Sequence, residues 1–280
     1  MRGLVRLTHP FPSILDGLVV MAIALIAGGG APTAIRLGLS MVALQASIGA
    51  LNDLLDAERD AGRVPPKPIP GGQVTVAAAR ALWVGAAVVG LALAAPSGLP
   101  TVLVGVAALG VGYGYDRFAK GTAWSWLPFA VGIPLLPVFG WIGTGAALPP
   151  SFLVLLPCAV LAGSALAIAN ASADLEQDEA SGTASVAVRL GLARAWAVGA
   201  GLIGVAAALV LGSLVSANVP VPAMLAALGA AALIGAGLAW GASVAGRRAT
   251  PSQRQRSWEI QAVGIGLLGT VWLLGLVRAP

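Results

Sequence analysis

Long apolar stretches separated by short polar segments fill almost the whole 280-residue chain. A helix that crosses a lipid bilayer needs about 20 mostly apolar residues, and nine stretches of about that size occur along the sequence. We place the predicted spans at residues 14–30, 35–51, 76–95, 99–115, 124–142, 151–170, 195–216, 221–242 and 258–277. The pattern therefore predicts an all-α fold, a polytopic membrane bundle of about nine transmembrane helices.

The composition points the same way. Hydrophobic residues make up 58% of the chain and charged residues 10%, and the mean hydropathy is +0.90, whereas an average soluble domain carries about a quarter charged residues. No linker or low-complexity segment divides the chain, so we expect residues 1–280 to form a single transmembrane domain. The net charge of +5 would suit nucleic-acid binding in a soluble protein, but the placement of the basic residues indicates membrane topology instead, and no nucleic-acid partner is expected.

The basic residues are concentrated on one side of the predicted membrane. Fourteen of the sixteen Lys and Arg residues precede span 1 or lie between spans 2 and 3, 4 and 5, 6 and 7, or 8 and 9, and only Arg36 and Arg278 fall opposite. By the positive-inside rule, the richer side is cytoplasmic. We therefore expect a cytoplasmic N-terminus and an external C-terminus. A cleaved signal peptide over span 1 is the alternative, but removing that span would invert the charge bias of every later loop.

Two residue types occur once each. Cys158 lies within a predicted span, which excludes an intrachain disulfide and a cysteine-based metal site. His9 is the only histidine, and it stands beside Pro10 ahead of the first span. We expect it to lie at the membrane interface without a chemical role.

Acidic residues form two short clusters, each at the cytoplasmic end of a predicted span. These clusters hold eight of the eleven acidic residues: Asp53, Asp56, Glu58 and Asp60, then Asp174, Glu176, Asp178 and Glu179. Asn52 opens the first cluster and Asn170 the second, which hints at an internal repeat. Because carboxylates are costly in or beside a bilayer, two such clusters indicate a site that collects cations.

The spacing within the clusters suits a metal ion. If the helices continue through them, Asp53, Asp56 and Asp60 share one helix face, as do Asp174 and Asp178. Hard oxygen ligands in this arrangement suit Mg²⁺, which is often shared between a few carboxylates and substrate phosphates. The basic residues that accompany the clusters suit a diphosphate, although each could equally be a topology signal: Arg63, Lys67, Lys120 and Arg189.

These residues resemble the signatures of the UbiA superfamily of intramembrane prenyltransferases. Asn52-Asp53-Leu54-Leu55-Asp56, followed by Asp60, Arg63 and the run Lys67-Pro68-Ile69-Pro70-Gly71-Gly72, is similar to the family's first motif. Asp174-Leu175-Glu176-Gln177-Asp178, with Gly182 and Val188-Arg189-Leu190-Gly191, is similar to the second. Tyr115 with Lys120 looks like a shorter third element.

The resemblance implies a helical bundle around a central cavity, with a cytoplasmic polar cap and a lateral opening to membrane lipid. It implies Mg²⁺ as cofactor, a prenyl diphosphate as substrate and a hydrophobic acceptor that captures the allylic cation. The metal and diphosphate set would be Asp53, Asp56, Asp60, Asp174 and Asp178. The substrate-binding residues would be Asn52, nearest the acceptor, with Arg63, Lys67, Tyr115, Lys120, Gln45 and Asn170.

Gln45 narrows the choice of acceptor molecule. Members that prenylate hydroxybenzoate tend to carry Arg seven residues before the motif Asn, where this chain has Gln45. A benzoate is therefore the weaker candidate, and quinone precursors, a porphyrin or a glycerol-phosphate lipid remain open. The loop around Tyr115 is somewhat similar to the archaeal-type lipid ether branch.

Two other functions fit parts of the sequence. An intramembrane terpene cyclase would use the same diphosphate ionisation and let the cation close on itself. An ion-coupled transporter would use its acids to bind a coupling ion, but such proteins usually hold their charges near the bilayer midplane on interrupted helices. The acids here lie at the ends of spans instead.

Overall fold

The computed structural model describes residues 2–62, 65–245 and 250–277. In these ranges every regular element is a helix. The α-helices are α1 (Arg2–Leu7), α2 (Pro10–Ile26), α3 (Gly30–Leu55), α4 (Val76–Ala94), α5 (Leu99–Gly114), α6 (Leu127–Ile142), α7 (Phe152–Ala173), α8 (Leu175–Ala180), α9 (Val186–Leu190), α10 (Leu192–Ser216), α11 (Val221–Ala245) and α12 (Pro251–Val277). A 3₁₀ turn at Ala95–Ser97 extends α4, and a π-helical turn at Tyr115–Ala119 extends α5.

The chain is a multi-pass integral membrane protein. Seven helices within the described ranges are long and apolar enough to cross a bilayer, namely α3, α4, α5, α7, α10, α11 and α12. The other two apolar helices, α2 with 17 residues and α6 with 16, are shorter. All nine predicted spans overlap an apolar helix, and the count of nine membrane crossings stays a prediction.

Helix α12 begins earlier than the sequence predicts. It starts at Pro251, seven residues before the predicted span, so that Arg254 and Arg256 belong to the helix and not to a loop. Thr250 and Gln253 form a reciprocal cap, since the Thr250 backbone N–H donates to Gln253 Oε1 and the Gln253 N–H donates to Thr250 Oγ1. This capping box stabilises the polar first turns of α12.

The chain folds as two compact units. Unit 1 comprises the described residues of Met1–Phe118 and Leu135–Leu148, and unit 2 those of Ala119–Pro134 and Pro149–Pro280. Unit 1 therefore contains α1 to α5 and the end of α6, and unit 2 contains the start of α6 and α7 to α12. The first acidic motif belongs to unit 1 and the second to unit 2.

In unit 1, α2 and α3 pack against each other at two glycines. A Cβ atom on Gly38 would lie 2.9 Å from the Gly17 carbonyl oxygen, so the absence of side chains lets the two backbones come close. Ser40 on α3 donates to the Gly90 carbonyl of α4 over 2.6 Å. These contacts fix α3, which carries the first motif, between α2 and α4.

In unit 2, α7 packs between α10 and α12, and α12 also packs closely on α11. Gly237 on α11 makes this approach possible, because a Cβ atom there would lie 2.9 Å from Gln261 Cγ. The buried Trp272 of α12 donates from its indole nitrogen to Ser213 Oγ of α10 over 2.6 Å. Helix α7, which leads into the second motif, is thereby held by its neighbours.

Candidate active site

The first motif lies at the end of α3. The regular helix stops at Leu55, earlier than the helical continuation that the spacing suggested, and Asp56 caps it. Hydrogen-bonded turns replace the helix beyond that point: the Asp56 N–H donates to Asn52 O over 3.0 Å, and the Asp60 N–H donates to Asp56 O over 2.8 Å. The side chains of Asp53, Asp56 and Asp60 are buried, with 4%, 8% and 3% of their residue surfaces exposed.

Cations accompany these buried carboxylates. Lys67 Nζ lies 2.9 Å from Asp53 Oδ1 and 4.0 Å from Asp60 Oδ2. Arg59 Nη2 lies 3.0 Å from Asp56 Oδ1. A buried carboxylate is costly unless positive charge and hydrogen bonds compensate it, so the motif and the basic residues that follow it form one electrostatic unit. The prediction that Lys67 belongs with the first acidic cluster is in keeping with this contact.

His9 also contacts the first motif. Its Nε2 lies 3.2 Å from Asp53 Oδ1, and its backbone has the left-handed conformation, with φ of 46°, as it turns the chain into α2. No chemical role was expected for His9, because a single histidine beside a proline carries no motif. The structure instead places it on the carboxylate that Lys67 also contacts.

The third element meets the first motif through Asp116, which is not among the predicted site residues. Asn52 donates from Nδ2 to Asp116 Oδ1 over 2.7 Å. Asp116 follows Tyr115 in the π-helical turn, and its position in this element was the available signal. The contact fixes the orientation of the Asn52 amide, while Tyr115 itself is half-buried in the same turn.

The second motif straddles a break between two helices of unit 2. Helix α7 ends at Ala173, Asp174 is the junction, and α8 starts at Leu175. The Asp178 N–H donates to Asp174 O over 2.9 Å, so the two acids keep the one-turn spacing that the sequence predicted. Both are half-buried.

The loop after the second motif runs beside the segment that follows Lys120. Thr183 closes the end of α8 by donating from its N–H and its hydroxyl to Asp178 O, each over 2.9 Å. The next N–H, from Ala184, donates to Gly121 O over 3.0 Å. Within unit 2, the half-buried Lys120 therefore belongs to a segment bonded to the loop after the second motif.

Arg254 reaches the second motif from α12. Its guanidinium forms an ion pair with Glu176, which lies between the two aspartates of the motif. Arg254 is buried, with 6% of its side-chain surface exposed, whereas 54% of the Glu176 side chain is exposed. From the sequence, this arginine is expected in a loop as a topology signal, and the pattern gives no sign of the contact.

Three predicted substrate-binding residues remain, and the structure describes two of them. Gln45, two turns before Asn52 on α3, donates from Nε2 to Asp16 Oδ2 over 2.6 Å. Asn170 is half-buried on α7, one turn before Asp174. Arg63 falls outside the described residues.

The donor set fits a hard divalent cation. All five predicted ligands offer carboxylate oxygens, which Mg²⁺ prefers. Across the described ranges, no three His, Cys, Asp or Glu side chains are grouped so that together they could hold a metal ion. Mg²⁺ usually needs no such group, since it keeps several waters and is held by one or two carboxylates together with substrate phosphates.

Known proteins are similar to this chain in sequence and in fold. The model of the UbiA prenyltransferase family matches residues 17–276. The digeranylgeranylglyceryl phosphate synthase of Halobacterium salinarum is 34% identical over 210 residues, which cover 71% of this chain and 73% of that protein. The protein of the same name from Korarchaeum cryptofilum is 29% identical over 149 residues, about half of either chain (52% of each).

Among solved structures, a UbiA homolog from Archaeoglobus fulgidus bound to DMAPP and Mg²⁺ has the same fold. It superposes with a TM-score of 0.70 at 20% sequence identity, and the match covers 96% of this chain and 98% of that one.

Proposed function

This chain belongs to the UbiA prenyltransferase family, and from that membership we propose that it catalyses Mg²⁺-dependent transfer of a prenyl group from a prenyl diphosphate to a lipophilic acceptor. The observation that carries the proposal is the first motif, in which three buried carboxylates lie at the end of a membrane-spanning helix and two of them lie beside Lys67. Carboxylates and a lysine together are what a metal-bridged diphosphate requires.

The proposed roles follow the chemistry of each group. Carboxylates hold the metal and, through it, the diphosphate; the basic and phenolic groups bind phosphate oxygens; and the Asn52 amide, fixed by Asp116, faces the acceptor. The metal and diphosphate set is Asp53, Asp56, Asp60, Asp174 and Asp178, and the phosphate contacts are Arg63, Lys67, Tyr115 and Lys120. The family match extends over residues 17–276, which supports residues 1–280 acting as a single domain.

The reaction requires the carbon–oxygen bond between the prenyl group and the diphosphate to break. When bound, Mg²⁺ supplies Lewis-acid stabilisation of the leaving diphosphate. Lys67 adds a cation whose charge opposes the negative charge that grows on the leaving group. The allylic cation survives until the acceptor captures it only if water is excluded from the site.

A glycerol-phosphate lipid is the acceptor that we favour. Two relatives bear the name digeranylgeranylglyceryl phosphate synthase, and the chain has a neutral Gln45 that is bonded to an acid rather than an arginine for a carboxylate. Both points disfavour a benzoate. The assay acceptor is therefore geranylgeranylglyceryl phosphate, with geranylgeranyl diphosphate as donor.

The proposed site faces the cytoplasm. Fourteen of the sixteen basic residues lie on the side of the predicted membrane that carries both acidic motifs, and the positive-inside rule makes that side cytoplasmic. We propose a cytoplasmic N-terminus and a cytoplasmic polar cap over the site.

The test is diphosphate release by purified protein with and without Mg²⁺. We expect Asp56→Asn and Asp174→Asn each to lower Mg²⁺-dependent release by at least about 100-fold, because each removes a metal-binding charge. Glu58→Gln and Glu179→Gln are matched controls, since both acids are exposed next to the motifs, and they should retain activity. Normal turnover in both aspartate variants would refute the proposal, and a cyclic product formed without acceptor would indicate a cyclase.

A further inference from the structure

A further acidic residue lies inside unit 1, apart from the first motif. Asp16 stands in the middle of the apolar helix α2, and its Oδ2 accepts a hydrogen bond of 2.6 Å from Gln45 Nε2 of α3. Among the described residues, its Oδ1 accepts no hydrogen bond. Ionisable side chains within membrane-spanning helices are costly and usually functional, and none of the roles proposed above uses this one.

Asp16 lies on the side of α2 that faces the protein. Ile14 and Leu18, two residues before and after it, are 52% and 51% exposed and mark the outward side of the helix. Successive residues are about 100° apart around a helix, so positions two apart lie on nearly opposite sides. Ser13 and Gly17, its other neighbours, are buried. Asp16 itself is half-buried, so part of its surface remains accessible.

The position of Asp16 relates it to the first motif. His9, just before α2, contacts Asp53 of α3. Asp16 comes seven residues after His9, and its partner Gln45 comes eight residues before Asp53. At about 1.5 Å per residue, the second contact lies about 10 Å deeper than the first. Gln45 also shares a face of α3 with Asn52, because seven residues make two helical turns.

We propose that Asp16, oriented by Gln45, binds the acceptor's hydroxyl group and accepts its proton during transfer. The inference rests on the proposed function and specifies its acceptor as an alcohol. The acceptor O–H bond breaks and its proton passes to the Asp16 carboxylate. The oxygen forms the bond to the first prenyl carbon, and the electron pair of the breaking carbon–oxygen bond leaves with the diphosphate.

The charge of the Asp16–Gln45 pair determines which acceptor group can bind there. Gln45 is neutral and directs its N–H toward Asp16, so the pair offers hydrogen-bond acceptance and negative charge. A carboxylate placed there would be repelled, whereas a hydroxyl would donate to Asp16. A free hydroxyl on a glyceryl group meets this requirement.

Asp16→Asn separates this role from a purely structural one. Asn still accepts the Gln45 hydrogen bond, so we expect an unchanged thermal midpoint, but it is a far weaker base. With geranylgeranyl diphosphate, MgCl₂ and geranylgeranylglyceryl phosphate, we expect product formation to fall by about 100-fold or more. Diphosphate release without acceptor and the KM for geranylgeranyl diphosphate should stay at the wild-type values. The control Ser40→Ala removes another interhelical bond of α3 and should leave transfer unchanged.

Gln45→Ala provides an independent variant, because it keeps the carboxylate and removes the group that orients it. We expect a loss of about tenfold in transfer, and no further loss when it is combined with Asp16→Asn, since the two residues act as one unit. Wild-type transfer by Asp16→Asn, or equal losses of transfer and acceptor-independent release, would overturn this inference alone. A wild-type protein that releases no diphosphate with Mg²⁺ would overturn the proposed function and this inference with it.

Discussion

Lys67 donates a hydrogen bond to Asp53 over 2.9 Å, although it lies fourteen residues further along the chain, beyond the end of α3. The same ammonium lies 4.0 Å from Asp60. One cation is thus shared by two buried carboxylates that would otherwise repel each other, and the chain between Asp53 and Lys67 is closed into a loop by that contact.

Replacing Lys67 by Ala should destabilise the protein and make its stability depend more strongly on Mg²⁺. Loss of a hydrogen bond to a charged group costs about 1.5–3 kcal/mol, and the two acids would then repel each other more strongly. A divalent cation at the acids offsets that repulsion, so MgCl₂ should raise the thermal midpoint of Lys67→Ala more than that of the wild type.

The matched control for this measurement is Arg80→Ala, which removes an exposed basic residue near the start of α4. It should behave as the wild type with and without MgCl₂. An equal Mg²⁺ response in Lys67→Ala and wild type would show that the lysine does not balance the metal-binding acids.

The ion pair between Arg254 and Glu176 should tune Mg²⁺ affinity. Because Arg254 is buried and holds the short helix α8 from α12, Arg254→Gln frees the segment that carries Asp174 and Asp178. Positioning groups of this kind typically change metal affinity by about 10–100-fold when removed. We expect a higher Mg²⁺ concentration for half-maximal diphosphate release, with a smaller change in the maximal rate.

Charge reversal tests the pairing directly. The double variant Arg254→Glu with Glu176→Arg should recover part of the Mg²⁺ affinity that either single reversal loses, since the two side chains interact. Arg256→Gln, an exposed arginine on the same helix, should have no effect. Additive losses in the double variant would contradict a direct ion pair.

The long apolar helices could be predicted from the sequence, because about 20 apolar residues inside a bilayer must satisfy their backbone hydrogen bonds within the segment. A helix does this. The ends of the helices were harder to predict. Leu55 ends α3 within a motif whose spacing suits a continuing helix, and the start of α12 lies among polar residues. The capping box of Thr250 and Gln253 was the signal that could have located that start.

The partners of the site residues could not be predicted in the same way. Asn52 meets Asp116 across 64 positions, and Glu176 meets Arg254 across 78. The hydrophobic pattern determines which segments are helical, but it does not determine which faces of two distant helices meet. Lys67 was predictable because only a short loop separates it from Asp53.

Gly237 should tolerate no side chain. A Cβ atom there would lie 2.9 Å from Gln261 Cγ and 3.1 Å from the Gln261 backbone nitrogen, so Gly237→Ala would push α11 and α12 apart at a cost of about 1–3 kcal/mol. Gly235 on the same helix has no heavy atom within 4 Å of such a Cβ, and Gly235→Ala should be neutral or slightly stabilising. Thermal midpoints of the two variants provide the comparison, and equal values would contradict close packing at Gly237.

Cysteine labelling should place the acidic motifs on the cytoplasmic side. Cys158, the only cysteine, is buried, so a Cys158→Ala background leaves no competing thiol. In that background, Ala147→Cys lies in the exposed loop between α6 and α7, and Ala180→Cys lies at the exposed end of α8 beside the second motif. A membrane-impermeant maleimide should label the Ala147 variant in intact cells and the Ala180 variant only after permeabilisation, because the positive-inside rule puts the basic side in the cytoplasm. The reverse pattern would place the site outside the cell and overturn the proposed orientation.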